Sequence, residues 1–322
     1  MSTSYSRRKM LRQTAGLVSL ASLTFAGLTP AIASANPDKP KKNESQKSAK
    51  RGIAYDLADP NDLIALSPGV SWWYNWSPSP NASIGEKYPK KFDMDFYPML
   101  WNDPANYDLD ELVHYLRSHP HIDHLLVLNE PNLTDQANCT PDVAAQLWPG
   151  YEEVAARARV KIVGPQMTFG TMPNYGDPTV WMDAFYAEYQ ERNQGRLPRI
   201  DYLGIHWYDF GLTFILNYMA KYNKPYWVTE FANWHTEQYF SINTLQQQID
   251  QMTDMVNTCE TRDDVFRYAW FTGRLSPDPH YTSLLAGPGQ LSQLGEHYIS
   301  LPFTYANSQN DEADDEISAA SA

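Results

Sequence analysis

The chain has 322 residues, of which 43% are hydrophobic and 20% are charged. This composition excludes an intrinsically disordered chain and a bundle of membrane helices. The formal net charge of −13 argues against nucleic acid and anionic lipid as partners, so a neutral ligand is favoured. Aromatic residues make up 13% of the chain, and their flat faces and polar tips suit sugar rings as well as protein cores.

The first 35 residues are predicted to be an export signal. Basic residues within positions 7–12 precede an apolar run over 15–32, and Ala33-Ser34-Ala35 is typical of a cleavage site. The segment 6–12 resembles the twin-arginine signal, with Met10 where that pattern usually has Phe. We therefore expect a periplasmic or secreted protein without a membrane in its mature form; a retained anchor is the alternative.

Polar segments flank a central block. Residues 36–50 contain five Lys and two Pro but no aromatic residue, which predicts a flexible linker. Residues 307–322 are predicted to be a disordered acidic tail. Apart from Tyr5 and Phe25, all aromatic residues lie within 51–306, a length that fits one barrel-sized domain.

Short apolar runs alternate with segments of helical spacing along this block. Eight strands are predicted, over residues 52–55, 70–76, 92–101, 125–128, 161–164, 202–207, 226–228 and 265–271. Several of them are apolar on both faces, as parallel strands covered by helices must be.

Helix start signals separate many of these strands. Asp59-Pro60 precedes a predicted helix over 61–66, and Asp177-Pro178 precedes one that ends at Gly195. A regular apolar stripe places a further helix over 245–256, whereas residues 81–91 give no convincing helical pattern. The predicted fold class is α/β, a single (β/α)8 TIM barrel. A doubly wound sheet is the alternative, although the chain lacks its glycine-rich turn.

Cys139 and Cys259 are the only cysteines of the chain. Export makes a disulfide possible; two buried free thiols are the alternative, which is favoured because nothing in the spacing brings the cysteines together. The sequence contains none of the common zinc, phosphate-loop or serine-nucleophile motifs. No metal and no cofactor are predicted.

Two glutamates come directly after apolar strands. Glu130 follows the fourth predicted strand, where Pro131 ends the ladder, and Glu230 follows the seventh. In a barrel the carboxyl ends of the strands form the active-site face, so both side chains are expected at its rim. Each alone is as readily explained as a member of a structural ion pair.

As a pair, the two glutamates favour glycoside hydrolysis with retention. That reaction needs one carboxyl group to protonate the leaving oxygen and a second carboxylate, about 5 Å away, to attack the anomeric carbon. Asn129, beside Glu130, is expected to bind a sugar hydroxyl next to the reaction centre.

Seven segments in order resemble glycoside hydrolase family 128, the β-1,3-glucanases, within the clan of retaining (β/α)8 hydrolases. These segments lie at 51–55, 73–76, 96–101, 128–132, 206–208, 227–232 and 267–271. The resemblance implies Glu130 as the acid/base, Glu230 as the nucleophile and Asn129 as the partner of the 2-hydroxyl. Residues 169–175 do not align with the family, which leaves the cleft length on that side open.

Further substrate contacts are expected from aromatic and polar residues at strand ends. The candidates are Trp73, Asn75, Trp101, Trp207, Trp234 and Trp270, together with His206 and Tyr208. For the tryptophans a place in the barrel core is the alternative, and Trp101 and Trp234 have the stronger case because they follow the apolar runs. We hypothesise that His206 or Tyr208 hydrogen-bonds Glu230; a core histidine or a metal ligand with Asp209 and His235 are the alternatives for His206.

The sequence thus predicts a monomeric β-1,3-glucan hydrolase with endo action and no nucleic-acid partner. The same carboxylate pair also serves other β-linked polysaccharides, such as β-1,4-mannan or β-1,6-glucan. A glucan-binding protein without turnover is the non-enzymatic alternative.

Overall fold

The structure, a computed structural model, describes residues 47–85, 87–236 and 241–303. The predicted export signal, most of the predicted linker and the predicted acidic tail lie outside these residues. Among the described residues, no helix is both long and apolar enough to cross a membrane.

The described chain alternates strands and helices, as the sequence predicts. The strands are β1 (Arg51–Ala54), β2 (Trp72–Tyr74), β3 (Asp95–Phe96), β4 (Met99–Leu100), β5 (His124–Val127), β6 (Lys161–Met167), β7 (Tyr202–Trp207), β8 (Tyr226–Phe231), β9 (Val265–Trp270), β10 (Leu285–Gly287) and β11 (Gln290–Leu291). The α-helices are α1 (Pro60–Leu66), α2 (Tyr88–Phe92), α3 (Leu109–Ser118), α4 (Pro141–Ala158), α5 (Pro178–Arg192), α6 (Leu212–Tyr218), α7 (Leu245–Thr261) and α8 (Gln293–Ser300).

Local capping explains where several helices begin. Asp59 accepts a hydrogen bond from the Asn61 amide at the start of α1, and Asp177 caps α5 in the same way. Thr244 and Gln247 form a capping box at the start of α7. Residues 81–91 differ from the expectation, because the short helix α2 begins within them at Tyr88.

Nine parallel strands form one curled sheet in the order β3-β2-β1-β9-β8-β7-β6-β5-β4. The two strands at the ends of this order, β3 and β4, are separated in the chain only by Tyr97 and Pro98. The Tyr97 amide donates to the Trp73 carbonyl of β2 at 3.0 Å, and the Pro98 carbonyl accepts from the Leu126 amide of β5 at 3.0 Å. The single strand predicted over 92–101 is thus two short strands, because Pro98 has no amide to donate.

Large aromatic rings fill the interior of the sheet. The Trp227 ring lies 5.0 Å from both Trp72 and Tyr97, and His124 contacts the same group at 4.9 Å. Gly52 allows this packing, because a Cβ at that position would overlap the Trp72 indole. The interior is therefore a packed core, and a ligand must bind at one end of it.

Residues 47–50 pack on the amino-terminal end of the strands and do not behave as the predicted linker. The Lys47 ammonium donates to the carbonyls of Ser67 and Val70, and Lys50 donates to three carbonyls at the end of α7. Cations suit the carboxyl end of a helix, which explains the position of Lys50. The four residues are thus part of the domain.

Both cysteines are free and buried. Burial raises the pKa of the Cys139 thiol to about 12 and raises the pKa of the Cys259 thiol further. The structure thus matches the alternative of two buried free thiols.

We expect both thiols to be inert in the native protein, because the thiolate is the reactive form and burial suppresses it. An aromatic disulfide reagent at pH 8 should not react with the folded chain. After denaturation each protein thiol should form a mixed disulfide with the reagent, and two equivalents of the reagent's aromatic thiolate should be released. Rapid reaction of a native thiol, or no reaction after denaturation without reductant, would contradict this.

Candidate functional site

Glu130 lies just beyond β5 on a backbone that holds it in an unusual conformation. Leu128 and Glu130 have φ values of 54° and 43°, a region that side chains other than glycine rarely adopt. The Leu128 amide donates to Leu100 and the Glu130 amide donates to the Gln166 carbonyl at 3.0 Å, which fixes this turn between neighbouring strands. Strain of this kind is concentrated at functional sites.

Glu230, in β8, receives hydrogen bonds on both carboxylate oxygens. Tyr74 Oη and Trp76 Nε1 donate to Oε1 at 2.9 and 2.8 Å, and Tyr208 Oη donates to Oε2. Trp76 reaches this position with a φ of 60°, again in the left-handed region. Three neutral donors stabilise negative charge on a buried carboxylate without neutralising it.

Tyr74 is a fully buried donor to this carboxylate. Burial, and then the negative charge of Glu230, raise the pKa of the Tyr74 hydroxyl well above its ordinary value. The hydroxyl therefore stays protonated and donates at every working pH.

His206 lies between the two glutamates. Its Nδ1 atom is 2.9 Å from Glu130 Oε1 and 3.4 Å from Glu230 Oε2. All three side chains are buried, and their ligand atoms lie within 4.8 Å of one another. The Tyr208 hydroxyl donates to Glu230 as the hypothesis expects, whereas the hydrogen bond of His206 goes to Glu130 and its Nδ1 lies 3.4 Å from Glu230.

The same three side chains form the single His and carboxylate group with metal-like spacing in the described part of the chain. His206 Nε2 has no hydrogen-bond partner there, whereas a metal-bound histidine normally anchors its second nitrogen. The alternative set of His206, Asp209 and His235 is not assembled, because His235 pairs with Asp209 at 2.8 Å and His206 faces the glutamates.

Three predicted aromatic contacts lie away from the carboxylates. Trp73 is fully buried against Tyr88 and Phe96, and Trp270 is fully buried against Phe231. Trp207 is 9% exposed. It follows His206 on β7 and therefore points to the opposite face of the strand. Every second residue of a barrel strand points away from the barrel interior and toward the helices. The structure therefore favours a position outside the cleft for these three tryptophans.

Each of the other predicted contacts adjoins, in the chain or in space, a residue that contacts or neighbours a glutamate. Trp101 and Trp234 are partly buried at the strand ends, and the Trp234 ring lies 5.0 Å from that of Tyr208. Asn129 is buried, and its Oδ1 has no partner among the described residues. Asn75 donates to Asp56 and to the Ser79 carbonyl, so its amide shapes the adjoining loop.

Sequence reasoning missed Tyr74 as a functional residue and left Gln166 outside its predicted strand. Gln166 is fully buried; its Oε1 accepts from Thr229 at 2.6 Å and its Nε2 donates to the Val163 carbonyl at 2.7 Å. Its side chain lies against Gly204, where a Cβ would overlap it. Gln166 lies on β6, beside the β5 strand that precedes Glu130. Its side chain thereby connects this part of the sheet with β8, the strand that carries Glu230.

A family model described as the glycosyl hydrolase catalytic core matches residues 52–298 of the chain. An endo-β-1,3-glucanase of glycoside hydrolase family 128, subgroup II, from Pseudomonas viridiflava is 56% identical with a TM-score of 0.79, covering 80% of this chain and all of that one. One of the same subgroup from Sorangium cellulosum is 32% identical with a TM-score of 0.67 and the same coverage.

A curated relative is the alkali-sensitive linkage protein 1 of Schizosaccharomyces pombe. It is 26% identical over 274 residues, which are 80% of this chain and 45% of the relative. The chain thus spans less than half of that relative's length.

Proposed function

The chain belongs to glycoside hydrolase family 128, and on that premise we propose that it is a retaining endo-β-1,3-glucanase. The observation that carries the proposal is the convergence of Glu130 and Glu230 with His206 within 4.8 Å. Retaining glycosidases place their two carboxyl groups about 5 Å apart, whereas inverting enzymes leave room for a water molecule between them. The similar endo-β-1,3-glucanases support the substrate and the mode of action.

We interpret the sheet as an eight-stranded (β/α)8 barrel in which β3 and β4 count as one strand. The two backbone hydrogen bonds at Tyr97 and Pro98 join its ends. On this count Glu130 follows the fourth strand and Glu230 lies on the seventh. Both then belong to the carboxyl-end face, where barrel enzymes carry their active sites.

The first chemical step forms a glycosyl-enzyme. The carboxyl proton of Glu130 moves to the oxygen of the scissile bond, that C–O bond breaks, and a Glu230 oxygen bonds to the anomeric carbon. The donors Tyr74, Trp76 and Tyr208 hold Glu230 ionised and oriented for this attack.

The second step releases the sugar. A water molecule gives a proton to Glu130, its oxygen bonds to the anomeric carbon, and the bond to Glu230 breaks. His206 is assigned as a positioning residue, because its Nδ1 lies 2.9 Å from Glu130 and 3.4 Å from Glu230. Asn129, whose buried Oδ1 has no partner among the described residues, is assigned to a sugar hydroxyl beside the reaction centre.

Trp101 and Trp234 are proposed to stack on glucose rings, because they lie at the rim and retain exposed surface. Residues on the loops around the mouth of a barrel determine which substrate it binds. Asn75 is assigned an indirect role through the loop that it shapes.

Tyr208→Phe should lower kcat about 10- to 100-fold, because it removes one hydrogen bond to a charged buried carboxylate, worth ~1.5–3 kcal/mol. The Michaelis constant should change less than kcat. Steady-state kinetics on a soluble β-1,3-glucan measures both.

Tyr222→Phe is the matched control, since that hydroxyl lies within hydrogen-bond distance of Asp183 and of the Thr179 carbonyl, away from Glu230. It should keep kcat within about twofold. Equal losses in the two variants would remove the basis for assigning Tyr208 to the nucleophile.

The product profile on linear β-1,3-glucan, run beside β-1,4-mannan and β-1,6-glucan, tests the specificity. We expect a ladder of oligosaccharides from the β-1,3 polymer alone. A single small product would indicate exo action, and cleavage of another linkage would indicate that the enzyme has a different β-glycanase specificity. Binding without any product would favour the glucan-binding alternative.

The sequence of residues 1–35 also supports the proposal that the chain is exported by the twin-arginine route to the periplasm or the medium. We propose separately that the product is a monomer. A host that lacks the twin-arginine transporter serves as the control, and it should keep the uncleaved chain in the cytoplasm. Mass spectrometry of the exported chain should place its amino terminus at Asn36.

A further inference from the structure

Glu230 faces the interior of the sheet, although regular alternation along its strand would turn it the other way. Successive side chains of a strand point to opposite faces, so residues two apart share a face. Trp227 of β8 packs against Tyr97 in the interior. Regular alternation would place Thr229 on that same face and Glu230 on the face toward the helices. Glu230 nevertheless lies 3.4 Å from His206 Nδ1, on the cleft side of the sheet.

A bulge in β8 accounts for this direction. Ile205 and His206 are consecutive in β7, whereas their partners in β8 are two residues apart. These partners are Val228 and Glu230, so Thr229 is an extra residue between two consecutive pairs. The register of β8 against β9 is also irregular in this part of the strand. A β-bulge re-aims the side chains beside it, and here it allows Thr229 and Glu230 to face inward together.

Gln166 holds the bulged residue from two strands away. It pairs with Gly204 of β7, and its side chain passes over that glycine, where a Cβ would lie 1.8 Å from Gln166 Oε1. Beyond the glycine, Gln166 Oε1 accepts the hydrogen bond from the Thr229 hydroxyl at 2.6 Å. Because Gly204 and His206 lie two apart on β7, this bond lies one layer beneath His206 on the same face of the sheet.

The other end of the Gln166 side chain is fixed as well. Its Nε2 donates to the Val163 carbonyl at 2.7 Å and to the Val127 carbonyl at 3.3 Å. These bonds leave Oε1 as the acceptor that faces Thr229. Gln166 and Thr229 are both fully buried, and a buried polar group without a partner is costly. The bond therefore favours a single position of the bulge.

The main chain of Gln166 fixes the acid/base on the opposite side of the cleft. The Glu130 amide donates to the Gln166 carbonyl at 3.0 Å, and the Gln166 amide donates to the Leu128 carbonyl at 3.0 Å. One residue thus bonds to the main chain of Glu130 and to the side chain of the residue that precedes Glu230. The separation of the two carboxyl groups, on which retention depends, is tied to this residue.

We propose that Gln166 and Thr229 are positioning residues that hold the β8 bulge and thereby aim Glu230 at the anomeric carbon, an inference that rests on the proposed function. Both side chains lie beneath the layer of His206 and contact no substrate. A misplacement of reacting atoms by about 1 Å costs up to ~10²-fold in rate. Loss of the hydrogen bond should therefore slow the attack by Glu230 and leave binding of the substrate nearly unchanged.

A 2-deoxy-2-fluoro-β-glycosyl fluoride of a short β-1,3-linked gluco-oligosaccharide isolates this attack. The anomeric fluoride leaves as a Glu230 oxygen bonds to the anomeric carbon, so no proton from Glu130 is needed. The 2-fluoro substituent slows hydrolysis of the resulting ester, and intact-protein mass spectrometry follows its formation.

Thr229→Val keeps the shape of the side chain and removes the hydroxyl. It should lower the maximal rate constant of adduct formation about tenfold, while the reagent concentration that gives half of that rate stays within about twofold. Thr229→Ser, which keeps the hydroxyl, should form the adduct at close to the wild-type rate.

Tyr226→Phe is the matched control, because it removes a buried hydrogen bond at the other end of the same strand. Tyr226 Oη donates to the Leu216 carbonyl at 2.9 Å. This variant should lower the thermal unfolding temperature as Thr229→Val does, yet keep the rate of adduct formation within about twofold.

Gln166→Met removes the same hydrogen bond from its other side. Because the two substitutions break one bond, the double variant Gln166→Met/Thr229→Val should form the adduct no more slowly than Gln166→Met alone. This second route also decides the question if Thr229→Val does not fold, since an unchanged rate in Gln166→Met contradicts the proposal.

Adduct formation at the wild-type rate in folded Thr229→Val overturns the positioning role. An equal loss in Thr229→Ser or in Tyr226→Phe overturns it too, as do additive losses in the double variant. If the wild-type chain neither forms the adduct nor cleaves β-1,3-glucan, the proposed function itself fails, and that outcome is distinct from the others.

Discussion

Replacing Glu230 by Gln is expected to abolish hydrolysis, with a fall in kcat of at least ~10³-fold. The amide is nearly isosteric, so substrate binding in the cleft should persist while the bond to the anomeric carbon can no longer form. Tyr74, Trp76 and Tyr208 all donate to this side chain, and an amide cannot accept from all of them as a carboxylate does. Initial rates on soluble β-1,3-glucan measure the loss.

Azide distinguishes loss of the nucleophile from general damage. In Glu230→Gly, azide should enter the vacated space and give a glycosyl azide of inverted, α configuration. Glu188→Gln, at a half-exposed carboxylate paired with Arg192, is the matched control and should keep full activity. An inverted, α-configured glycosyl azide from a Glu130 variant, with none from Glu230→Gly, would exchange the two assignments.

Glu130→Gln is expected to lower kcat on β-1,3-glucan by ~10²–10⁴-fold, because the leaving sugar oxygen then receives no proton. An aryl glycoside with an acidic leaving group needs no protonation, so its first step should remain close to the wild-type rate. A burst of released phenol followed by slow turnover is therefore predicted. Stopped-flow absorbance detects both phases.

The Glu130 variants also differ from the Glu230 variants in their azide product. In Glu130→Ala, azide should attack the glycosyl-enzyme from the face opposite to Glu230 and give a β-glycosyl azide of retained configuration. Equal losses on polysaccharide and aryl glycoside, without a burst, would be incompatible with an acid/base role for Glu130.

Strand positions were the most predictable part of the fold, since buried parallel strands are marked by short apolar runs. Residues 202–207 form β7 as predicted, and the predicted start of α5 at Asp177-Pro178 matches its cap. The predicted third strand is interrupted, because Pro98 removes one ladder donor within an apolar run. Residues 47–50 were misassigned to the linker, since their side chains bond to carbonyls that are distant in the sequence.

The two glutamates were identifiable because each follows an apolar strand, whereas their partners were not. Tyr74 lies within an aromatic run of β2, and composition cannot say which ring of such a run faces the interior. Successive side chains of β7 point to opposite faces of the strand, which separates His206 from Trp207. Which of the two faces the active site could be decided only once the glutamates were located in space. Gln166 shows the same limit, because its partner Thr229 is remote in the chain.

The anomeric configuration of the first product tests the central claim most directly. Proton NMR should follow the wild-type enzyme acting on a soluble β-1,3-linked gluco-oligosaccharide, recorded before mutarotation equilibrates the new reducing ends. The account predicts that the β anomer appears first and the α anomer later, since two displacements at Glu230 restore the starting configuration. Initial appearance of the α anomer would show a single displacement and contradict the assignment of Glu230 as nucleophile.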